Sequence, residues 1–259
     1  MPQLDVDRYG AEIEESTAGL AEILAEHDVS LPIPTCPQWT LRQLVTHVGR
    51  AHRWAAEITR TRSEAFIPFR AVPDGKLPDD RAGQLAWLRA GAARIVGAVR
   101  EAGSDVVWSF TGPVPAGFWI RRMAHETLVH RADAQLAAGA EPEPVIGAEV
   151  AADAIDEWLM LLTGGFGSSG ARTSALPAGA GLHIHATDDG LDGRGEWMIR
   201  YDAGGLTVEP GHGKGDAALT GPAASLLLVL MRRRPVSDPA VTVYGDSAVV
   251  DGWLANTAF

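Results

Sequence analysis

The sequence of 259 residues predicts a bundle of four α-helices followed by an α+β domain. Apolar residues recur at helical spacing in four segments before residue 140, and long loops join these segments. After residue 180, short strand candidates alternate with Gly- and Asp-rich turns. Between the two regions, the run EPEP at 141–144 interrupts the helical pattern. We therefore predict one domain at 1–144 and a second at 145–259.

The first three helices each have an apolar stripe between recognisable boundaries. The first helix is predicted from about Asp5 to Glu26. The second follows a proline-rich linker and begins after Thr40, which forms a capping box with Gln43. Its stripe extends over 41–58. After an irregular stretch, the third helix is predicted from Arg81 to Glu101.

The fourth helix, predicted from Phe118 to Ala137, places polar residues on the stripe that should face the core. That stripe contains Trp119, Met123, Glu126, His130, Asp133 and Ala137. The other faces carry Arg121, Arg122 and Arg131, so we expect those faces to point outward. Burying a carboxylate and an imidazole costs several kcal/mol each without a compensating partner. A metal ion is one such partner, because side chains four residues apart on a helix lie close together. The alternatives are a buried Glu–His hydrogen bond and a position at the solvent-exposed end of the bundle.

A second histidine on another helix favours the metal site. His47 lies on the flank of the second helix's stripe, whereas His52 points about 140° away and cannot reach the same ion. Sites in helical bundles are built from inward-facing side chains on different helices. His47, Glu126 and His130 fit that description, although a lone histidine beside an apolar stripe can also be a packing residue.

The second domain is predicted to contain three helices and several strands. We expect helices at 146–162, from residue 223 onward and at 248–255, and strands at 182–186, 196–201, 206–209, 217–220 and 241–244. The Gly- and Ser-rich stretch 163–174 lacks a preceding strand and a Lys-Ser/Thr pair, so we expect no phosphate loop there.

Three histidines of this domain are predicted to have no metal-binding role. His183 and His185 share one face of their strand, but no third ligand lies nearby in the sequence. His212 reads as an exposed turn residue.

Composition excludes several functional classes. The net charge of −11 argues against a nucleic-acid partner, which requires a basic surface. The longest apolar run, 226–231, is too short to cross a membrane, and the N-terminus has no apolar signal region, so we expect a cytoplasmic protein. A single cysteine, Cys36, excludes an intrachain disulfide framework and a Cys-rich metal site.

Two segments of the first domain resemble one known family. CPQWTLRQLVTHVGRAHRW (36–54) and WIRRMAHETLVHRADAQ (119–135) occur in the order found in mycothiol-dependent maleylpyruvate isomerases. The stretch GDAALTGPAASLLLVLMRRRP (215–235), with VTVYGD and GWL after it, is similar to the second domain of that family. The resemblance implies a DinB-like four-helix metal-binding domain and a C-terminal domain similar to sterol carrier proteins.

The resemblance also implies roles for individual residues. A divalent metal, usually zinc in this family, would be held by His47, Glu126 and His130. We expect His125 to point away, and Asp133 to hold the free ring nitrogen of His130. The nearest counterpart of the family's functional arginine is Arg233, within the run 232–234, although these three arginines can equally be solvent-facing charges that stabilise a helix end. Cys36 and Trp39 are interpreted as packing residues.

The implied function is thiol chemistry on a small electrophilic molecule. The ion would deprotonate mycothiol, and the thiolate would catalyse cis–trans isomerisation or be transferred to the substrate. The sequence does not separate these two outcomes. One alternative is a non-catalytic metal- or ligand-binding or regulatory protein. Another is a metal-dependent hydrolase with Asp133 as general base. The sequence predicts no oligomeric state.

Overall fold

The computed structural model describes residues 4–142, 145–164, 176–202 and 205–257. Within these ranges the chain divides into two units. The N-terminal unit is Leu4–Pro142, and the C-terminal unit comprises the described residues after it. Most of the stretch 163–174 lies outside the described ranges. Among the residues described, no helix combines the length and the apolar character that crossing a membrane requires.

Four long helices form the N-terminal unit, close to the predicted bounds. They are α1 (Val6–Glu26), α2 (Leu41–Arg60), α3 (Arg81–Ala102) and α4 (Gly117–Ala137). Side chains satisfy the exposed backbone donors at three of the N-termini. Asp5 accepts from Arg8 N, Asp80 accepts from Gly83 N, and Thr40 and Gln43 form the predicted capping box.

The helices pack so that α1 and α2 each contact both α3 and α4. One part of the core is rich in aromatic residues, including Trp54 and Trp119, whose rings are 5.0 Å apart. Another part is mainly aliphatic and includes Leu20, Leu44 and Leu88. The helices α2 and α4 also pack against each other, as the predicted metal site between them requires.

The segment of residues 31–40 forms a closed loop in front of α2, here called the 31–40 loop. Its ends are joined by hydrogen bonds from Ile33 N to Trp39 O (3.0 Å) and from Leu41 N to Leu31 O (2.8 Å). Ile33 is 1% exposed and anchors the loop in the core. The loop therefore holds Thr35, Cys36 and Trp39 in fixed positions.

Two small elements of the unit were not predicted. Phe69–Ala71 forms a 3-10 turn, and β1 (Val106–Val107) pairs with β2 (Val114–Pro115) in an antiparallel hairpin. Strands of two residues are too short to show an alternating pattern in the sequence.

The C-terminal unit contains a five-stranded sheet with strand order β5-β4-β3-β6-β7. The strands are β3 (Gly181–Ala186), β4 (Glu196–Asp202), β5 (Gly205–Pro210), β6 (Ala217–Gly221) and β7 (Thr242–Gly245). The β3–β6 pair is parallel and the other pairs are antiparallel. The helices are α5 (Ala148–Thr163), α6 (Ala223–Leu230) and α7 (Ser247–Asn256).

The helices lie on one face of this sheet. That face is apolar and includes Leu182, Ile184 and Trp197, each at most 1% exposed. Trp197 Nε1 is 3.4 Å from Asp156 Oδ1 of α5. Successive side chains of a strand alternate between faces, so His183, His185 and Glu196 point to the opposite face. The fold class agrees with the prediction of a helical bundle followed by an α+β domain.

Candidate metal centre

The three predicted ligands meet between α2 and α4. His47 Nε2 lies 2.7 Å from Glu126 Oε1, and His130 Nε2 lies 3.4 Å from the same oxygen. One ligand atom from each of the three residues lies within 4.8 Å of the other two. The side chains of His47, Glu126 and His130 are 38%, 23% and 10% exposed, so the His47 side of the cluster is open to solvent. The structure thus brings the residues together, and their role as metal ligands stays a prediction.

Glu126 is held in its charged form. Partial burial works against the charge, but the Arg122 guanidinium and hydrogen bonds from His130 and His47 outweigh burial and hold the carboxyl pKa well below its ordinary value. Arg122 NH2 contacts Oε2 of Glu126, one helical turn away. Because Arg122 occupies Oε2, the carboxylate presents Oε1 to the two imidazoles.

Asp133 fixes the orientation of His130. The Nδ1 atom of His130 is 2.8 Å from Asp133 Oδ2, which leaves Nε2 directed at Glu126. The Asp133 side chain has no exposed surface, and it also accepts a hydrogen bond from Thr35 Oγ1 at 2.6 Å. Burial lowers the pKa of His130, but the hydrogen bonds to Asp133 and Glu126 prevail and raise it to about 9.

The 31–40 loop forms one wall of the site. The ring of Trp39 lies 4.9 Å from the His47 ring and 5.7 Å from the His130 ring, measured between centroids. Cys36 Sγ is 3.7 Å from Asp133 Oδ2, and Cys36, His130 and Asp133 also have ligand atoms within 4.8 Å of one another. An ion among those three would compete with the His130–Asp133 hydrogen bond. An ion among His47, Glu126 and His130 would likewise replace the hydrogen bonds to Glu126, so these three residues remain the predicted ligands.

The other histidines of α2 and α4 point elsewhere. His125 is 2% exposed and packs edge-on against the ring of Tyr9 at 5.9 Å. His52 is fully buried, with Nε2 at 2.7 Å from Thr127 Oγ1. The Thr127 hydroxyl donates to Met123 O, so His52 Nε2 must carry the proton that it donates to Thr127. Burial, followed by the charge of Arg53, lowers the pKa of His52 to about 3.

The expectation that the arginines of the fourth helix face outward is wrong for two of them. Arg121 is 2% exposed and Arg131 is 9% exposed. Since α4 contacts the other three helices, it has little free surface. Arg131 lies against Gly19 of α1, where a Cβ would come within 2.5 Å of its Nε atom. The absence of a side chain at residue 19 therefore makes room for the guanidinium.

Arg233, the predicted functional arginine, lies in the C-terminal unit directly after α6. It is half-buried, and its NH1 atom donates to Met231 O at 2.7 Å. Arg232 is exposed, and Arg234 Nε lies 3.9 Å from Asp238 Oδ2. A catalytic role for Arg233 stays a prediction.

The structure places two further candidate ligands near His183 and His185, although none is close to them in the sequence. Glu196 Oε2 is 3.0 Å from His183 Nε2 and 2.7 Å from His212 Nδ1. His212 is 75% exposed, as predicted for a turn residue, yet it contacts this carboxylate. Strand pairing and the loop after β5 bring these residues together, and neither is visible in the sequence.

Sequence reasoning also missed three neighbours of the first centre. Arg122 precedes Glu126 by four residues, a spacing that predicts an ion pair on a helix. Trp39 and Thr35 carry no such signal, because their contacts depend on how the 31–40 loop closes.

Two solved structures have a similar fold. The crystal structure of the mycothiol-dependent maleylpyruvate isomerase superimposes with a TM-score of 0.55 and 19% sequence identity. A variant of that isomerase with one histidine replaced by alanine gives a TM-score of 0.57 at 17% identity. Each comparison covers 93% of both chains. No curated protein sequence matches the chain significantly.

Two family models match the chain in succession. Residues 11–135 match the mycothiol maleylpyruvate isomerase N-terminal domain, and residues 149–252 match the C-terminal domain of the same family. The two matches together take in most of the chain and follow the order of the two units. The chain therefore belongs to the mycothiol maleylpyruvate isomerase family.

Proposed function

We propose that the protein is a mycothiol-dependent isomerase whose helical unit holds one divalent ion through His47, Glu126 and His130. The observation that carries the proposal is the convergence of two imidazole Nε2 atoms on a single carboxylate oxygen, Glu126 Oε1. Membership of the maleylpyruvate isomerase family supports the choice of thiol and reaction. We propose an unsaturated carboxylate of the maleylpyruvate type as substrate.

The residues fit a divalent ion on chemical grounds. Two imidazoles and one carboxylate are a ligand set that zinc takes in catalytic sites, where a fourth position stays open. The alternative to an ion is a proton shared among the same three groups. The raised pKa of His130 favours such a proton when no ion is bound. Because Asp133 occupies Nδ1, the Nε2 atom of His130 is the one free to bind.

The surrounding residues orient the ligands before any substrate arrives. Arg122 holds Oε2 of Glu126, so this carboxylate cannot rotate without losing an ion pair. Trp39 packs against both imidazoles and limits their rotation. The exposed side of His47 leaves a path by which a thiol can enter.

The ion, when bound, would supply the positive charge that lowers the pKa of a thiol and keeps it as thiolate at neutral pH. In an isomerisation, the thiolate sulfur bonds to one carbon of the substrate's double bond, and the electron pair moves onto the conjugated carbonyl. The remaining single bond rotates, the pair returns, and the carbon–sulfur bond breaks. The thiol is regenerated, so no net oxidant or reductant is needed.

We assign different roles to the two other predicted site residues. Asp133 is a positioning residue, since it has no exposed surface and its oxygens are engaged with His130 and Thr35. For Arg233 we propose recognition of a substrate carboxylate, for which a guanidinium is well suited.

Turnover of maleylpyruvate in the presence and absence of mycothiol tests the proposal. We expect conversion to the trans isomer only when both mycothiol and a divalent ion are present. Chelation should abolish the activity and added Zn²⁺ should restore it. Accumulation of a stable thiol adduct instead of the trans isomer would identify an S-transferase.

Two further outcomes would overturn the proposed isomerase. Metal-bound protein that neither isomerises nor conjugates the substrate with mycothiol would indicate a binding or regulatory protein. Turnover that persists after all thiol is removed would indicate hydrolytic chemistry.

A further inference from the structure

A second cluster of histidines and a carboxylate lies in the C-terminal unit. Glu196 Oε2 is within hydrogen-bond distance of both His183 Nε2 (3.0 Å) and His212 Nδ1 (2.7 Å). One ligand atom from each of these residues lies within 4.8 Å of the other two. His185 is adjacent, with its ring centroid 5.7 Å from that of His183 and 6.3 Å from that of His212.

The fold determines the position of each member of this cluster. His185 is directly opposite Glu196 in the β3–β4 ladder, and His183 is its diagonal neighbour on the same face. Gly211 N donates to Glu196 O at 3.0 Å, so the chain leaving β5 stays hydrogen-bonded to β4. This hydrogen bond places the next residue, His212, beside Glu196. At Gly213, a Cβ would lie 2.7 Å from the Met198 side chain, so the loop packs closely on this face.

The cluster has the same arrangement as the centre in the helical unit. In both, the nitrogens of two imidazoles approach a single carboxylate oxygen. The charge compensation differs. Glu126 has Arg122 as a partner, whereas within the described parts of the chain no arginine or lysine forms an ion pair with Glu196. The groups that contact the Glu196 carboxylate are therefore the two imidazoles. An imidazole can offer a lone pair to a metal as readily as it donates a proton to a carboxylate.

We propose that His183, Glu196 and His212 form a second metal site, which binds a late first-row divalent ion such as Zn²⁺. Imidazole nitrogen with a single carboxylate favours Zn²⁺, Ni²⁺ or Cu²⁺ over Mg²⁺ and Ca²⁺, which prefer all-oxygen sites. His183 is 5% exposed and His212 is an exposed loop residue, so the ion would connect the sheet to the loop of residues 211–216.

Zinc titration of tag-free Glu126→Ala protein tests this site apart from the proposed catalytic centre. We expect this variant to bind one Zn²⁺ per chain in calorimetry. His212→Ala on the same background should weaken binding by about 100-fold, since loss of a partner of a ligand alone costs up to that factor. Because His212 is largely exposed, its replacement should not disturb folding. His27→Ala, at the end of α1, is the matched control and should leave binding unchanged.

The proposal is overturned if the Glu126→Ala protein binds no Zn²⁺, or if its Zn²⁺ affinity is the same with and without His212. The same titration in His130→Ala protein tests the second site again if the Glu126→Ala protein does not fold. Neither result depends on whether the helical unit catalyses isomerisation, because turnover is not measured.

Discussion

At the scale of single residues, the proposed binding of a metal by His130 depends on the carboxylate of Asp133. It accepts from Nδ1 at 2.8 Å and has no exposed surface. Asp133→Asn retains an oxygen for that hydrogen bond but loses the charge that makes the imidazole a stronger ligand. We expect zinc affinity at the first centre to fall by about 10- to 100-fold. Competition with a chromophoric chelator measures this affinity. Both proteins compared carry His212→Ala, which disables the proposed second site.

Circular dichroism of the metal-free variant checks that it stays folded. If zinc affinity is instead unchanged while the protein stays folded, Asp133 does not tune the ligand and serves only packing.

His52 predicts how stability responds to acid. Its pKa is about 3 in the folded protein, whereas an unfolded histidine titrates near 6.5. Below pH 6.5 the unfolded chain therefore binds a proton that the native state does not. The free energy of unfolding consequently decreases as the pH is lowered. For these two pKa values the loss from this one group is about 2 kcal/mol between pH 7 and pH 5.

His52→Gln keeps a donor for Thr127 and removes the titration. Urea unfolding of metal-free protein at pH 7 and pH 5 should show that this variant loses about 2 kcal/mol less than the wild type over that interval. Equal losses in both proteins would mean that His52 is not the group responsible.

The helix periodicity predicts four residues of the candidate site but not their surroundings. Glu126, His130 and Asp133 share the inward stripe of α4, and the apolar stripe of α2 places His47 beside it. The wall formed by Trp39 depends on closure of the 31–40 loop, for which the sequence has no periodic signal.

At the scale of elements, Gly49 of α2 and Gly91 of α3 both allow these two helices to pack closely. A Cβ at Gly49 would lie 2.0 Å from the ring of Trp87, which is 7% exposed. That ring cannot move freely, because its Nε1 donates to Asp74 O and the Arg53 guanidinium lies 4.0 Å above it. We expect Gly49→Ala to destabilise the protein by about 3 kcal/mol in denaturant unfolding.

Gly97→Ala is the matched control on α3. Nothing lies within 4 Å of a Cβ there, so the helix propensity of alanine should raise stability by about 0.5 to 1 kcal/mol. A destabilisation of similar size in both variants would show that packing against Trp87 is not the cause at Gly49.

Helices and strands with a clear period agree with the sequence prediction, whereas their pairing does not follow from it. All five strand candidates of the second domain correspond to strands β3 to β7. Strand order and register are set by contacts between residues distant in sequence, such as the parallel pairing of β3 with β6. The His183, Glu196 and His212 cluster was missed for that reason.

At the scale of the whole molecule, the two units each have a core and each hold two histidines against one carboxylate. Family membership follows from both units, since each matches its own domain model. The proposed metal centre lies in the helical unit, where the three predicted ligands belong to helices that the sequence itself defines.

The most direct test of the proposed centre is the metal content of tag-free, zinc-replete protein, measured by elemental mass spectrometry. Wild type should contain one more ion per chain than Glu126→Ala, whether or not the second cluster is occupied. His125→Ala should match the wild type, because His125 packs on Tyr9. Equal metal content in wild type and folded Glu126→Ala, or a loss in His125→Ala equal to one ion, would contradict the assignment of His47, Glu126 and His130 as the metal centre.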